Sequence, residues 1–135
     1  MIIYTDSLDG ITPERLQGFF VGWPNPPSPQ THLRMLQGSA AVVLAIDNAS
    51  GQVVGYINAI SDGFHAAFIP NLEVLPAYQG QGIGSELVRR MLTRLENYYA
   101  IDLMCDADLQ PFYERLDLRR STGMVRRNYA RQSGE

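Results

Sequence analysis

At 135 residues, 45% hydrophobic and 19% charged, the chain is long enough for one sizeable core and has no low-complexity tract. A net charge of −3 lacks the positive excess of a general nucleic-acid surface, and no apolar run approaches the roughly 20 residues of a membrane span. One cysteine, Cys105, excludes an intramolecular disulfide and a cysteine-built metal site, and neither His32 nor His65 has metal-ligand companions close in sequence. The start lacks a basic segment followed by an apolar one, so a single cytoplasmic domain over residues 1–135 is expected, with no metal.

In chain order, Met1 to Tyr4 reads as a short edge strand. Thr12-Pro13-Glu14 looks like an N-cap with proline at the first helical position, predicting a helix through Leu16 to about Phe20. Four prolines between Pro24 and Pro29 then forbid helix or regular strand. Trp23, in that stiff loop, either walls a substrate pocket or pins the connector to the core. Ser28-Pro29 caps a second helix, on which His32 reads as a surface or partly satisfied side chain rather than a catalytic one.

Ala40 to Ile46 and Val53 to Ile60 read as a strand hairpin turning at Asp47 to Gln52. Phe64 to Leu75 is a further strand. Pro70 within it lacks a ladder donor, so an interruption, a bulge or one exposed edge is expected there.

Next comes the stretch that organises the rest, Gln79-Gly80-Gln81-Gly82-Ile83-Gly84, which opens directly into helix formers with apolar residues at Leu87, Val88, Met91, Leu92 and Leu95. A glycine turn at the positive end of a helix offers unpaired N–H groups to an anion, phosphate above all. The plainer alternative is a loop whose glycines only let it turn tightly. The helix is expected from about Gly84 to Tyr98, then a strand from Ala100 to Cys105, then a short helix capped by Asp108 through Phe112, Tyr113 and Leu116. Leu118 to Tyr129 is expected to supply one or two closing strands. The whole predicts an α/β domain of α+β type: a mixed, mostly antiparallel sheet flanked by helices.

The charge distribution agrees with an anion at the turn. Residues 1–76 carry two basic and six acidic side chains, and residues 77–135 nine and eight. A nucleotide-triphosphate loop would need lysine after the glycines, and the chain has no lysine. A dinucleotide fold would space its glycines differently, after the first strand. A diphosphate with a long organic arm remains, and coenzyme A fits.

Here the sequence resembles a known family. Gln79 to Gly84 matches the Gln/Arg-x-x-Gly-x-Gly/Ala pattern of the GNAT superfamily of N-acetyltransferases. Asn71-Leu72-Glu73-Val74 precedes it as the family's fourth strand does, and Phe112-Tyr113-Glu114-Arg115-Leu116 resembles the family's Phe-Tyr-Glu-Lys segment. The likeness covers the whole length, although residues 1–38 match only in their pattern of elements. It implies that the fourth and fifth strands splay apart. It also implies that acetyl-CoA is the donor, its diphosphate held by Gln79, Gln81, Gly82, Ile83, Gly84 and Ser85. The coenzyme's arm would lie against Leu72 and Val74, with a backbone N–H near Val74 polarising the thioester carbonyl. Departures from the family pattern fall at Asp106, Leu109, Pro111, Asp117 and Leu118.

The same resemblance makes Tyr113 the candidate proton donor to the departing thiolate, with packing as its plainer role. Glu73, beside the acyl position, is the candidate base, unless its strand turns it to solvent. Asp62, His65 and Asp106 are reserve candidates. Cys105, at the end of an apolar strand with no histidine near in sequence, reads as a structural thiol, so direct attack in a ternary complex is expected rather than an acyl-enzyme. Phe20, Trp23 and Phe64 are candidates for lining the acceptor pocket. The expected activity is acetyl transfer to a primary amine, of a small molecule or of a protein. The alternative is a non-catalytic acyl-CoA-binding module. Partners in nucleic acid or membrane are not expected, and the edge strands leave a homodimer open.

Overall fold

A computed structural model describes all residues, 1–135. One five-stranded sheet runs through the molecule in the order β1 (Ile2–Thr5), β2 (Ala41–Asp47), β3 (Val53–Ser61), β4 (Ala66–Val74) and β5 (Ala100–Leu103). The first three junctions are antiparallel and β4 to β5 is parallel. Three helices flank it: α1 (Pro29–Gln37), α2 (Ile83–Arg94) and the short α3 (Gln110–Glu114). No helix is long and apolar enough to cross a membrane.

The continuous apolar run of β2 follows from its place: both faces of the strand are covered. Ala41, Val43 and Ala45 face α2, and Val42, Leu44 and Ile46 face the other side, so two cores form back to back. Leu87, Val88 and Met91 of α2 and Leu95 just beyond it are almost wholly buried, each contributing about 2 kcal/mol of apolar burial. A Cβ at Gly55 would come within 3.1 Å of the Leu87 side chain, so glycine there sets how closely α2 can lie on β3.

On the opposite face, Ser28 caps α1 as expected, its hydroxyl accepting from the Thr31 N–H at 3.1 Å. The expected helix from Thr12 to Phe20 is instead one 3-10 turn, Pro13–Leu16. Gly18 at φ 90° and Phe20 at φ 63° then take the backbone into left-handed conformations that no helix continues through. Arg15 holds the turn down, donating to the Gly51 carbonyl at 2.7 Å and the Gly10 carbonyl at 3.0 Å.

The bulge expected at Pro70 is present. Between the pairs Asn58–Asn71 and Ile60–Phe68, β4 carries one residue more than β3, and Pro70 lies exposed there. The same point divides β4 in its other pairing. Ala66 to Ile69 pair with β5, whereas the strand beyond Pro70 pairs only with β3. The two strands therefore part at the bulge and leave a gap beside residues 71–74.

Three boundaries differ from the sequence reading. α2 ends at Arg94, because the chain turns at Leu95 to bring the Tyr99 and Ala100 N–H groups onto the His65 carbonyl and start β5. Asp106, not Asp108, occupies the cap position of the 3-10 turn before α3, and its side chain makes no capping bond. The closing strands expected between Leu118 and Tyr129 do not form: residues 119–128 are exposed and belong to no strand or helix.

Candidate functional site

The glycine turn stands at the mouth of the gap between β4 and β5. Gly80 and Gly82 have φ of 79° and 83°, and Gly82 is the N-cap of α2, with no side chain to satisfy the helix end. The backbone N–H groups of Gly80, Gln81, Gly82, Ile83, Gly84 and Ser85 consequently have no acceptor within the protein; the first to find one is Glu86, on the Gly82 carbonyl at 3.1 Å. Ile83, almost fully buried, anchors this row of donors to the core, and Gly84 packs against Phe112 of α3. Donors in series at a helix N-terminus favour an anion of more than one charge.

Strand geometry fixes where the neighbouring groups point. The Leu75 N–H donates to the Val54 carbonyl at 2.8 Å, so Val74 and Gly55 face each other without exchanging hydrogen bonds. Alternation then turns the backbone polar groups of Val74 and Leu72 away from β3 and into the gap, while their side chains pack towards α2. The Gln79 side-chain amide donates to the Val74 carbonyl at 3.0 Å, which ties the turn to the gap and leaves the Val74 N–H free. The residues predicted to hold a diphosphate and its organic arm are thus brought together in one continuous row.

Tyr113 lies on α3, half-buried, its ring edge-on to Phe112 at 4.9 Å between centroids. Burial, and secondarily the Cys105 thiol, push its hydroxyl up to about 12. Cys105 is itself raised, by burial first and then by Asp106 and Asp108, which is the environment of an unreactive thiol.

Glu73 points to the face opposite α2, not to open solvent. Its Oε1 accepts from the Phe20 N–H at 2.8 Å and its Oε2 from the Val21 N–H at 3.2 Å. The carboxylate therefore holds the loop in which Phe20 sits at positive φ, and that loop carries Trp23 against the Phe20 ring. Phe20 is held to Glu73 through its backbone, its ring buried, and Trp23 packs on the far side of that ring. Phe64 is not brought there: it lies in the β3–β4 turn, 87% exposed, at the opposite end of β4 from Glu73.

The reserve candidates are also dispersed. Asp62 folds back on its own turn, its Oδ1 accepting from Phe64, His65 and Ala66, and these bonds pull it down to about 2. His65 stacks on Tyr99, and Asp106 is exposed.

Two residues beside Glu73 escaped the sequence reading. Tyr56, directly opposite Glu73 in the β3–β4 register, is buried, and burial followed by the Glu73 charge raises its hydroxyl far above the usual phenol value. His32 is neither on the surface nor partly satisfied. It is 1% exposed, wedged among Phe19, Phe20 and Tyr56, with no partner for either ring nitrogen. Only its spacing on α1, one turn before Leu36, hinted at the inward face. Beyond Trp23 opens a cleft of about 400 Å³ lined in part by Arg34, Arg131 and Gln132. No group of three or more His, Cys, Asp or Glu side chains is placed to hold a metal ion.

Known proteins share this fold. The model of the acetyltransferase (GNAT) family matches residues 8–118. A crystal structure of an acetyltransferase candidate from Deinococcus radiodurans R1 superposes with a TM-score of 0.95 at 51% identity, covering 98% of this chain and 92% of that one. A GNAT-family acetyltransferase from Streptococcus pneumoniae gives a TM-score of 0.77 at 30% identity, covering 95% of this chain and 98% of the other. The chloroplastic GCN5-related N-acetyltransferase 3 of Arabidopsis thaliana is 38% identical over 68 residues, 49% of this chain, and the match spans 29% of that protein's own length. The uncharacterized N-acetyltransferase ycf52 of Pyropia yezoensis is 27% identical over 100 residues, 71% of this chain and 57% of its own length. With a family model spanning most of its length and an open sheet parted at the fourth strand, the chain belongs to the GNAT family of acetyltransferases.

Proposed function

We propose that the protein is an acetyl-CoA-dependent N-acetyltransferase acting on a primary amine by direct attack in a ternary complex. The observation that carries this reading is the row of unpartnered N–H groups from Gly80 to Ser85, continuous with the free Val74 N–H in the gap. Bound acetyl-CoA supplies an activated acyl carbonyl and a thiol leaving group. Gln81 to Ser85 bind its diphosphate, and Gln79 orients the turn through Val74. The Val74 N–H is the donor available to a carbonyl oxygen on which charge develops. Tyr113, kept protonated at neutral pH by its raised pKa, holds a proton for the thiolate. Glu73 accepts the ammonium proton, directly or through water, and keeps Phe20 and Trp23 in place around the acceptor.

A small-molecule amine is the acceptor we favour, with a protein amine as the alternative. One observation favours an acceptor that also carries a carboxylate: Arg34 and Arg131 line the cleft beyond Trp23, and neither is in an ion pair.

The test is calorimetry with acetyl-CoA, followed by thiol release across a panel of amines with and without a carboxylate. Micromolar binding, amine-dependent thiol release and its loss by tenfold or more in Tyr113→Phe are expected. Binding that no amine converts into thiol release would instead favour a non-catalytic acyl-CoA-binding module. Absence of binding would remove the donor-row reading altogether.

A further inference from the structure

The cleft beside α1, about 400 Å³, falls within the size range of small-molecule sites. Trp23, Pro27 and Met35 give it an apolar side, and Thr31, Arg34 and Arg131 a polar one. Neither guanidinium is spent on an acid. Arg34 and Arg131 are in no ion pair, and Arg131 donates only to the Gly134 carbonyl, at 3.4 Å.

The chain itself puts a carboxylate at this cleft. Gly134, at φ 83°, brings the backbone so close to α1 that a Cβ there would stand 2.9 Å from the Thr31 methyl group. The next residue, Glu135, accepts through Oε1 from the Thr31 hydroxyl at 2.9 Å. Thr31 is 8% exposed, and its Oγ1 accepts in turn from the Ser28 hydroxyl at 3.2 Å, so both hydroxyl protons are directed towards the carboxylate. Gln132 fastens the same segment, its Oε1 accepting from the Asn25 N–H at 2.9 Å. The Glu135 carboxylate thus holds one hydroxyl and pairs with neither arginine, which leaves the strongest donors of the cleft to another anion.

The position of the cleft relative to Glu73 sets the rest of the ligand. Trp23 packs on the Phe20 ring at 4.9 Å between centroids, and the Phe20 N–H is bonded to Glu73. A molecule with a carboxylate in the cleft has to pass these two rings to bring an amine to Glu73. An α-amino acid, with both groups on one carbon, does not span them. An apolar spacer does, and it is covered by Trp23 and Met35 on the way.

We propose, resting on the acetyltransferase reading above, that the acceptor is an amine bearing a remote carboxylate across an apolar spacer. Arg34, Arg131 and Thr31 bind that carboxylate, and Glu135 occupies the subsite until the acceptor displaces it.

Trp23 is the only tryptophan, so its emission reports on the cleft without any catalysis. Octanoate is expected to change that emission saturably and octanol to leave it unchanged. The octanoate dissociation constant should rise about tenfold in Arg34→Gln and fall about threefold in Glu135→Gln. In turnover with acetyl-CoA, KM is expected to fall from glycine through 4-aminobutanoate to 8-aminooctanoate, about fivefold more steeply than for the matching alkylamines. Equal responses to octanoate and octanol in the wild type would overturn the subsite, whatever the variants do, and so would a folded Arg34→Gln that binds octanoate as tightly as wild type. KM values indifferent to the carboxylate would overturn the acceptor class even with octanoate bound. Absence of thiol release with every amine, beside an intact octanoate response, would strike the transfer reading and the acceptor role with it, while the carboxylate site stands.

Discussion

The two faces of the sheet are built by different means. On the α2 face, the donor row and the free Val74 N–H are main-chain groups, positioned by buried Ile83, Leu87, Val88 and Met91. On the α1 face, the loop beside the proposed acceptor site is held by one carboxylate, Glu73, over a buried histidine with no hydrogen-bond partner. A binding surface made of backbone tolerates many side chains and keeps one geometry. A surface made by side-chain latches can be reshaped by a single substitution. The comparison predicts that the donor side resists changes in pH and composition, while the acceptor side is where stability is most easily lost.

The largest expected effect is on the α1 face. Burial holds the His32 imidazole down at about 4, against an ordinary histidine near 6.5. As pH falls below 6.5 the unfolded chain takes up a proton that the folded one refuses until about 4. Stability is therefore lost progressively across that window, by about 3 kcal/mol in all. Denaturant titrations from pH 7 to 4.5 should show the fall, and His32→Leu should flatten it relative to wild type. Parallel profiles for the two proteins would mean that His32 is hydrated in solution.

On the other face, Gly82→Val should weaken acetyl-CoA by about 30-fold, roughly 2 kcal/mol. No neighbouring atom lies within 4 Å of a Cβ there, so the effect comes from φ of 83°, which a β-branched residue resists, and from bulk over the donor row. The protein should stay folded, since nothing in the core is displaced. Unchanged affinity by calorimetry would separate the turn from coenzyme binding and remove the contrast between the faces.

This contrast also tracks what could be read in the sequence. The α2 face was legible because its information is local: three glycines, a helix start and an apolar period are contiguous between Gln79 and Leu95. The bulge at Pro70 was legible for the same reason, since proline's missing donor acts where it stands. The α1 face was not, because Glu73 meets Phe20 across more than fifty residues, and no periodicity encodes a carboxylate bonded to a distant backbone. The Thr12–Phe20 helix failed where Gly18 and Phe20 adopt positive φ, a feature that the cap-like start at Thr12 concealed. The closing strands failed for another reason: strand composition needs an edge to pair with, and residues 119–127 make no backbone hydrogen bond to any strand.

The smallest expected effect sharpens the contrast most. Glu73→Gln retains the shape and one acceptor oxygen, so only one of the Phe20 and Val21 N–H groups can keep its bond. About 1 kcal/mol of stability should go, together with faster amide exchange at those two positions. If Glu73 also takes the ammonium proton, turnover should fall most at low pH, where free amine is scarce, with KM for coenzyme unchanged. A residue that only held the loop would raise the acceptor's KM and leave the shape of the pH profile as in wild type. Rescue by Asp at position 73 separates these further. A shorter carboxylate restores a charge to the strand without reaching both N–H groups, so recovered turnover with a still-mobile loop would identify Glu73 by its proton chemistry rather than by its grip.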